Sequence, residues 1–226
     1  MKLVHVELET PLEWDVPGVI VLAVENPRQY RKWVGQLLAQ SKGQAGDWVL
    51  SLEGKERSLA KDSFCWINFF DLTDTQKKIQ TKLLERLVSN AYEQDEYLTT
   101  HRLLADIRAY MDNLMETVDV DLQLGPPDLA SLLRAMGIKW LETDDLLERL
   151  VQLVNVISQF NVGLLVMVGL CSYLEASELA LFWHHCALHD MCVLDMEPTV
   201  PMSLGEQQIL VVDRDLCEFV VKKPMM

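Results

Sequence analysis

The chain has 226 residues, half of them apolar, with a mean hydropathy of +0.08 and a formal net charge of −14. That length supports one sizeable core with an appended unit, and the acidic balance excludes indiscriminate polyanion binding. The longest apolar run, residues 162–171, is about half of what a membrane span needs. Met1-Lys2-Leu3-Val4-His5 alternates like a strand, not like a signal peptide. A cytoplasmic protein with no membrane partner is expected. The five cysteines (Cys65, Cys171, Cys186, Cys192, Cys217) are scattered, odd in number and mostly inside apolar runs, which reads as reduced core thiols.

In chain order, residues 3–8 alternate as a strand, and residues 18–24 form a continuous β-branched run that reads as a buried one. Asn26-Pro27 opens a helix from Arg28 to about Gln40, ending near Gly43 and Gly46. Residues 48–52 and 64–70 are further strands. The period then changes. Thr73 and Gln76 form a capping-box pattern, and Ile79, Leu83, Leu84 and Leu87 recur at helical spacing. A second long helix covers about Thr99–Glu116, with Leu103, Leu104, Ile107, Tyr110, Met111 and Leu114 as its apolar stripe. Gly125-Pro126-Pro127 breaks the chain before a short helix ending at Gly137.

Thr143 is expected to cap the next helix, with Asp144 and Asp145 suiting its N-terminal dipole. An apolar strand over 163–170, a helix from Ala176 to His189 and a strand over 191–194 follow, and residues 209–212 and 219–221 close the chain as short strands. Uninterrupted apolar strands alternating with helices predict a largely parallel sheet covered on both faces. The fold class is therefore α/β: a discontinuous domain of residues 1–70 and 138–226, interrupted by an α-helical insertion at 71–137.

Charge is unevenly distributed. Residues 28–61 carry seven basic groups (Arg28, Arg31, Lys32, Lys42, Lys55, Arg57, Lys61) against three acidic ones, whereas residues 140–226 carry four against thirteen. The basic segment is either an ordinary solvated surface or a polyanion contact. Lys78, Lys82 and Arg86 at i, i+4 and i+8 make a basic stripe on the first long helix. It can follow a phosphate backbone or pair with acidic neighbours on the second helix.

No catalytic signature is present. The turn Glu25-Asn26-Pro27-Arg28 lacks a phosphate-binding loop, and no G-x-G-x-x-G, G-x-S-x-G or H-E-x-x-H occurs. The expectation is a non-enzyme that binds no nucleotide. His184, His185, Cys186, His189 and Cys192 are the densest soft-ligand group. Without a C-x-x-C pair, they read as satisfied histidines and core thiols in preference to a metal site. Glu116, Asp119, Asp121 and Asp128 surround the break after the second long helix, where oxygen ligands hold calcium or simply face water.

The succession of residues 129–139, the acidic cap Thr143-Asp144-Asp145, the strand 164–168, the helix from Leu174 and the segment Val193-Leu-Asp-Met-Glu-Pro198 resembles the CRISPR-associated type II-A adaptation protein (the Csn-two family), in its shorter subtype. Pro11-Leu12, the strand 18–24 and the helix after Pro27 extend the likeness over nearly the whole chain. The resemblance implies an α/β head similar to P-loop ATPase cores without a working nucleotide site, and a helical leg. It implies a homotetrameric ring with a basic lumen that encloses double-stranded DNA from a free end, without sequence preference and without cutting. The task implied is CRISPR spacer acquisition, an antiviral defence, alongside the two integrase proteins and the type II-A RNA-guided nuclease. Arg28, Arg31, Lys32, Lys55, Arg57, Lys61, Lys78, Lys82 and Arg86 are the candidate DNA-binding residues. Calcium held by leg carboxylates would stabilise the ring, with Asp119 and Asp121 the foremost ligands beside Glu116 and Asp128. The alternative is a protein–protein scaffold of the adaptation complex whose acidic surface docks a basic partner.

Overall fold

The run Gly18–Val24 forms a central strand because both of its faces find cover. In the computed structural model, residues 1–70, 73–93, 95–138, 143–160, 162–201 and 207–221 are described. The strands are β1 (Lys2–His5), β2 (Leu12–Glu13), β3 (Gly18–Val24), β4 (Trp48–Leu52), β5 (Lys55–Arg57), β6 (Ser63–Trp66), β7 (Leu164–Val168), β8 (Cys192–Glu197), β9 (Gln208–Val212) and β10 (Glu218–Val221). The helices are α1 (Pro27–Ser41), α2 (Leu59–Asp62), α3 (Thr73–Ala91), α4 (Tyr97–Met115), α5 (Leu129–Ala135), α6 (Leu146–Ile157) and α7 (Ala176–Leu188). The chain divides into two compact units, residues 1–75 with 142–226, and residues 76–141.

The larger unit is mixed α/β. Its main sheet has the order β10-β9-β3-β8-β7-β6, parallel throughout except for β10. Alternation sends Ile20, Leu22 and Val24 of β3, with Leu194 and Met196 of β8, to one face. There they join Trp33 and Leu37 of α1 in a continuous core. The opposite face takes Val21, Val193 and Val211, and α7 packs against β3 and β8 with α6 beside it. Leu150, Leu153, Val154 and Ile157 of α6 and Leu179, Phe182, Trp183 and Cys186 of α7 are buried. Hydrophobic cover on both sides is what parallel strands require.

A second sheet, antiparallel and ordered β2-β1-β4-β5, packs into the core on the α1 side. The strands expected at 3–8 and 48–52 thus pair with each other and not with the parallel sheet, in the register Leu3↔Leu50. Trp33 seals that layer, lying edge-on to Trp48 at a centroid distance of 5.8 Å and 5.2 Å from the His5 ring. Gln40 acts as a surrogate strand partner, donating to the Trp48 carbonyl (2.8 Å) and accepting from its N–H (3.0 Å).

Three local expectations shift. The strand expected to reach Phe70 stops at Trp66, because the Asn68 side chain accepts from the Phe70 N–H and closes a turn. The cap of α6 is Asp145, which accepts from Glu148 N–H at 2.7 Å, while the Thr143 hydroxyl donates to the Glu148 carboxylate. The strand expected over 191–194 continues to Glu197, carrying two carboxylates into the core. The expected capping box at Thr73 falls outside the described side chains.

The smaller unit is helical. Ile79 and Leu84 of α3 and Leu104 of α4 are buried, and the Thr100 hydroxyl donates to the Ala91 carbonyl across the turn between the two helices (2.9 Å). Asp128 caps α5, and Gly137 ends it at φ +67°, where a side chain would be strained. Of the apolar stripe expected on α4, only Leu104 is buried. Leu103, Ile107, Tyr110, Met111 and Leu114 are exposed in the single chain.

Candidate nucleic-acid interface and metal-binding groups

Asn26 starts the basic surface. Its side-chain oxygen accepts from the N–H groups of Arg28 (3.0 Å) and Gln29 (3.2 Å), and its amide donates to the Arg214 carbonyl (2.9 Å). This fixes the first turns of α1, on which Arg28, Arg31 and Lys32 are exposed. At spacings of three and four they share one helix side. The Lys32 ammonium is bonded to the Glu7 carboxylate, which also accepts from Gln29 and from the Trp33 indole. The Lys32 hydrogen bond, followed by that from Gln29, holds the Glu7 carboxyl down at about 2. Lys55 and Arg57 alternate onto one side of β5, the edge strand of the small sheet, and Lys61 is exposed on α2. Lys78 and Lys82 are half-buried and Arg86 exposed, one helical repeat apart on α3. The nine expected cations thus fall on α1, β5 and α2 in one unit, and on α3 in the other.

The amides at the start of α1 are engaged by the Asn26 cap, at the position where a phosphate-binding loop would present free donors. The histidine cluster is tied into α6. His185 Nε2 lies 2.9 Å from Asn155 Oδ1, and the His185 and His189 rings are 4.6 Å apart. Burial, then the His189 charge, lowers the His185 pKa.

The four carboxylates expected to hold calcium are not drawn together within one chain. Glu116 ends α4, and Asp119 and Asp121 lie exposed in the segment that follows. Asp128 spends its oxygens on Ala130 N–H, Ser131 N–H and the Ser131 hydroxyl. Donation from that hydroxyl lowers its pKa, as the cap implies. These residues do not fit a single-chain calcium site.

A different set does converge. Among the described residues, the one group of three or more His, Cys, Asp or Glu ligand atoms lying within 4.8 Å of one another is Cys171, Asp195 and Glu197. Asp195 and Glu197 project from the same side of β8 near its carboxyl end, and Cys171 follows β7 in a short 3₁₀ turn. Asp195 is fully buried and Glu197 is 3 % exposed. The Cys171 thiol donates to Asp195 Oδ2 (3.4 Å), and the Cys171 N–H donates to Glu197 Oε1 (2.8 Å). Asp195 Oδ1 has no hydrogen-bond partner. Desolvation raises both carboxyl pKa values. Desolvation and the two carboxylates also push the Cys171 thiol up, and Tyr30, whose hydroxyl donates to the Met196 carbonyl, is raised by the same causes. Sequence reasoning missed this group because it searched for ligand spacing. The available signal was two acids in the apolar run Cys-Val-Leu-Asp-Met-Glu.

A mostly parallel α/β sheet with a separate helical unit and surface cations on an acidic chain defines an α/β protein with a helical insertion. A family model described as CRISPR-associated protein (Cas_Csn2) matches residues 42–216, and the chain belongs to that family. Membership implies a role in CRISPR adaptation. No curated protein matches the chain significantly.

Proposed function

We propose that the chain forms a homotetrameric ring that holds double-stranded DNA ends without cutting them during type II-A spacer acquisition in the cytoplasm, alongside the integrase proteins and the RNA-guided nuclease. The observation carrying this reading is the set of exposed cations on α1, β5 and α2 of a chain whose net charge is −14. A ring reconciles the two, with basic groups turned inward and the acidic excess outward. Residues 1–70 and 138–226 form the head in this reading and residues 71–137 the leg. The order β9-β3-β8-β7-β6 supports a head like that of P-loop ATPases, and the Asn26 cap supports one that binds no nucleotide and catalyses no reaction. The exposed apolar stripe of α4 supports self-association. Calcium enters only as an ion between chains.

Filter binding over a salt series tests the proposal. Several phosphate contacts per subunit give an affinity that falls steeply with salt, and threading requires linear duplexes to bind better than closed circles. A flat slope or equal affinities would overturn it. Native mass with and without calcium reads the ring and its ion together.

The second reading, a scaffold docking a basic partner, is favoured by the acidic excess of residues 140–226. Charge reversal at Lys78, Lys82 and Arg86 separates the two. The ring loses DNA binding with its oligomer intact, whereas the scaffold shows no effect.

A further inference from the structure

We infer that Cys171, Asp195 and Glu197 form a binding site for a divalent transition-metal ion of the zinc class, at the carboxyl end of β8 inside the α/β unit. The inference rests on geometry in this unit alone and is independent of the DNA reading.

Two carboxylates and a thiol taken out of water need compensation. Uncompensated, they must hold protons or carry a large desolvation cost. Among the described residues neither carboxylate has an ion-pair partner; the two ion pairs are Lys2–Glu13 and Lys32–Glu7, both near the surface. The polar contacts present are few. Glu197 Oε1 takes one backbone N–H, Asp195 Oδ2 takes the thiol, the two carboxyl groups face each other so that a protonated Asp195 donates to Glu197, and Asp195 Oδ1, wholly buried, has no further partner. An orphaned carboxylate oxygen in a dry interior is costly, and here it belongs to the group whose other atoms already converge within 4.8 Å.

The spacing suits an ion. A tetrahedral centre with bonds of roughly 2.3 Å to sulfur and 2.0–2.2 Å to oxygen puts those two ligands about 3.5 Å apart, and Cys171 Sγ lies 3.4 Å from Asp195 Oδ2. The donor set chooses the class. A thiolate with two carboxylates suits zinc and related borderline ions, whereas calcium and magnesium take oxygen ligands alone. Cys171 is only half-buried, so the ion has an approach past its sulfur. Binding releases the thiol proton, and any carboxyl proton, to solvent.

The test uses the full chain, reduced and freed of metal by a chelator, then titrated with Co²⁺ and with Zn²⁺. One Co²⁺ per chain is expected, with a thiolate-to-cobalt charge-transfer band that Zn²⁺ abolishes by displacement. Cys171→Ser should remove the band and Asp195→Asn should abolish uptake, with circular dichroism confirming that both variants fold. The wild-type spectrum stands even where a variant does not fold. Absence of the band and of zinc uptake in equilibrium dialysis overturns the inference. So does uptake that persists unchanged in both folded variants, which would place the ion elsewhere.

Discussion

Lys32 on the second turn of α1 and Glu7 in the turn after β1 form an ion pair that the buried Trp33 indole also reaches. One expected DNA-binding cation is thereby partly neutralised by its own chain. Glu7→Gln should free it, tightening DNA binding and steepening its salt dependence. An unchanged slope would place Lys32 outside the interface.

The same pair gives a pH dependence. The folded pKa of Glu7 is depressed from 4.5 to about 2. Its contribution to stability is therefore fully present above pH 4.5 and lost as the pH falls from there toward 2. The pair is exposed enough for solvent screening to limit it to about 0.2–1 kcal/mol. Urea unfolding of wild type and Glu7→Gln should show that difference at neutral pH and none in strong acid.

Gly46 faces the Gln40 carboxamide so closely that an added Cβ would lie 2.5 Å from Oε1. Gln40 cannot simply swing away, because both its ends are bonded to Trp48. Gly46→Ala should cost about 1–3 kcal/mol by overpacking, read as a lower urea midpoint. Gln40→Ala in the Gly46→Ala background should recover the part due to the clash.

Asn26 caps α1 and holds the segment after β9 through Arg214. Asn26→Ala should destabilise the chain by about 0.5–2 kcal/mol, whereas Asn26→Asp keeps the cap and loses only the bond to Arg214. A DNA-binding loss larger than the stability loss would show that the cap also aims Arg28 and Arg31.

Thiol labelling should be sharply staged. Cys217 is exposed, whereas Cys65 and Cys186 are pushed up to about 12 by burial. One fast-reacting thiol is expected in the native protein, absent in Cys217→Ser, with Cys65 and Cys186 reacting only on unfolding.

Long periodic segments were the legible part of the sequence. The β-branched run 18–24, the helix after Pro27 and the strand–helix–strand unit around α7 could be read because burial on one or two faces imposes an apolar period. Pairing was not legible. Nothing local to 3–8 or 48–52 says that these strands prefer each other to β3, since that choice depends on where α1 lies. The expected calcium carboxylates cluster in sequence but not within one chain. Cys171 lies 24 and 26 residues before Asp195 and Glu197, so only the parallel pairing of β7 and β8 unites them.

β3 is made long before the strands on either side of it, β8 and β9, which begin only at residues 192 and 208. Its apolar surface therefore waits, unpaired, while the intervening residues are translated. Folding dominated by such distant pairings is slow and exposes aggregation-prone intermediates. Stop codons anywhere before β9 should leave insoluble fragments instead of shortened but working heads, and production at lower temperature, with chaperones in excess, should favour the soluble form.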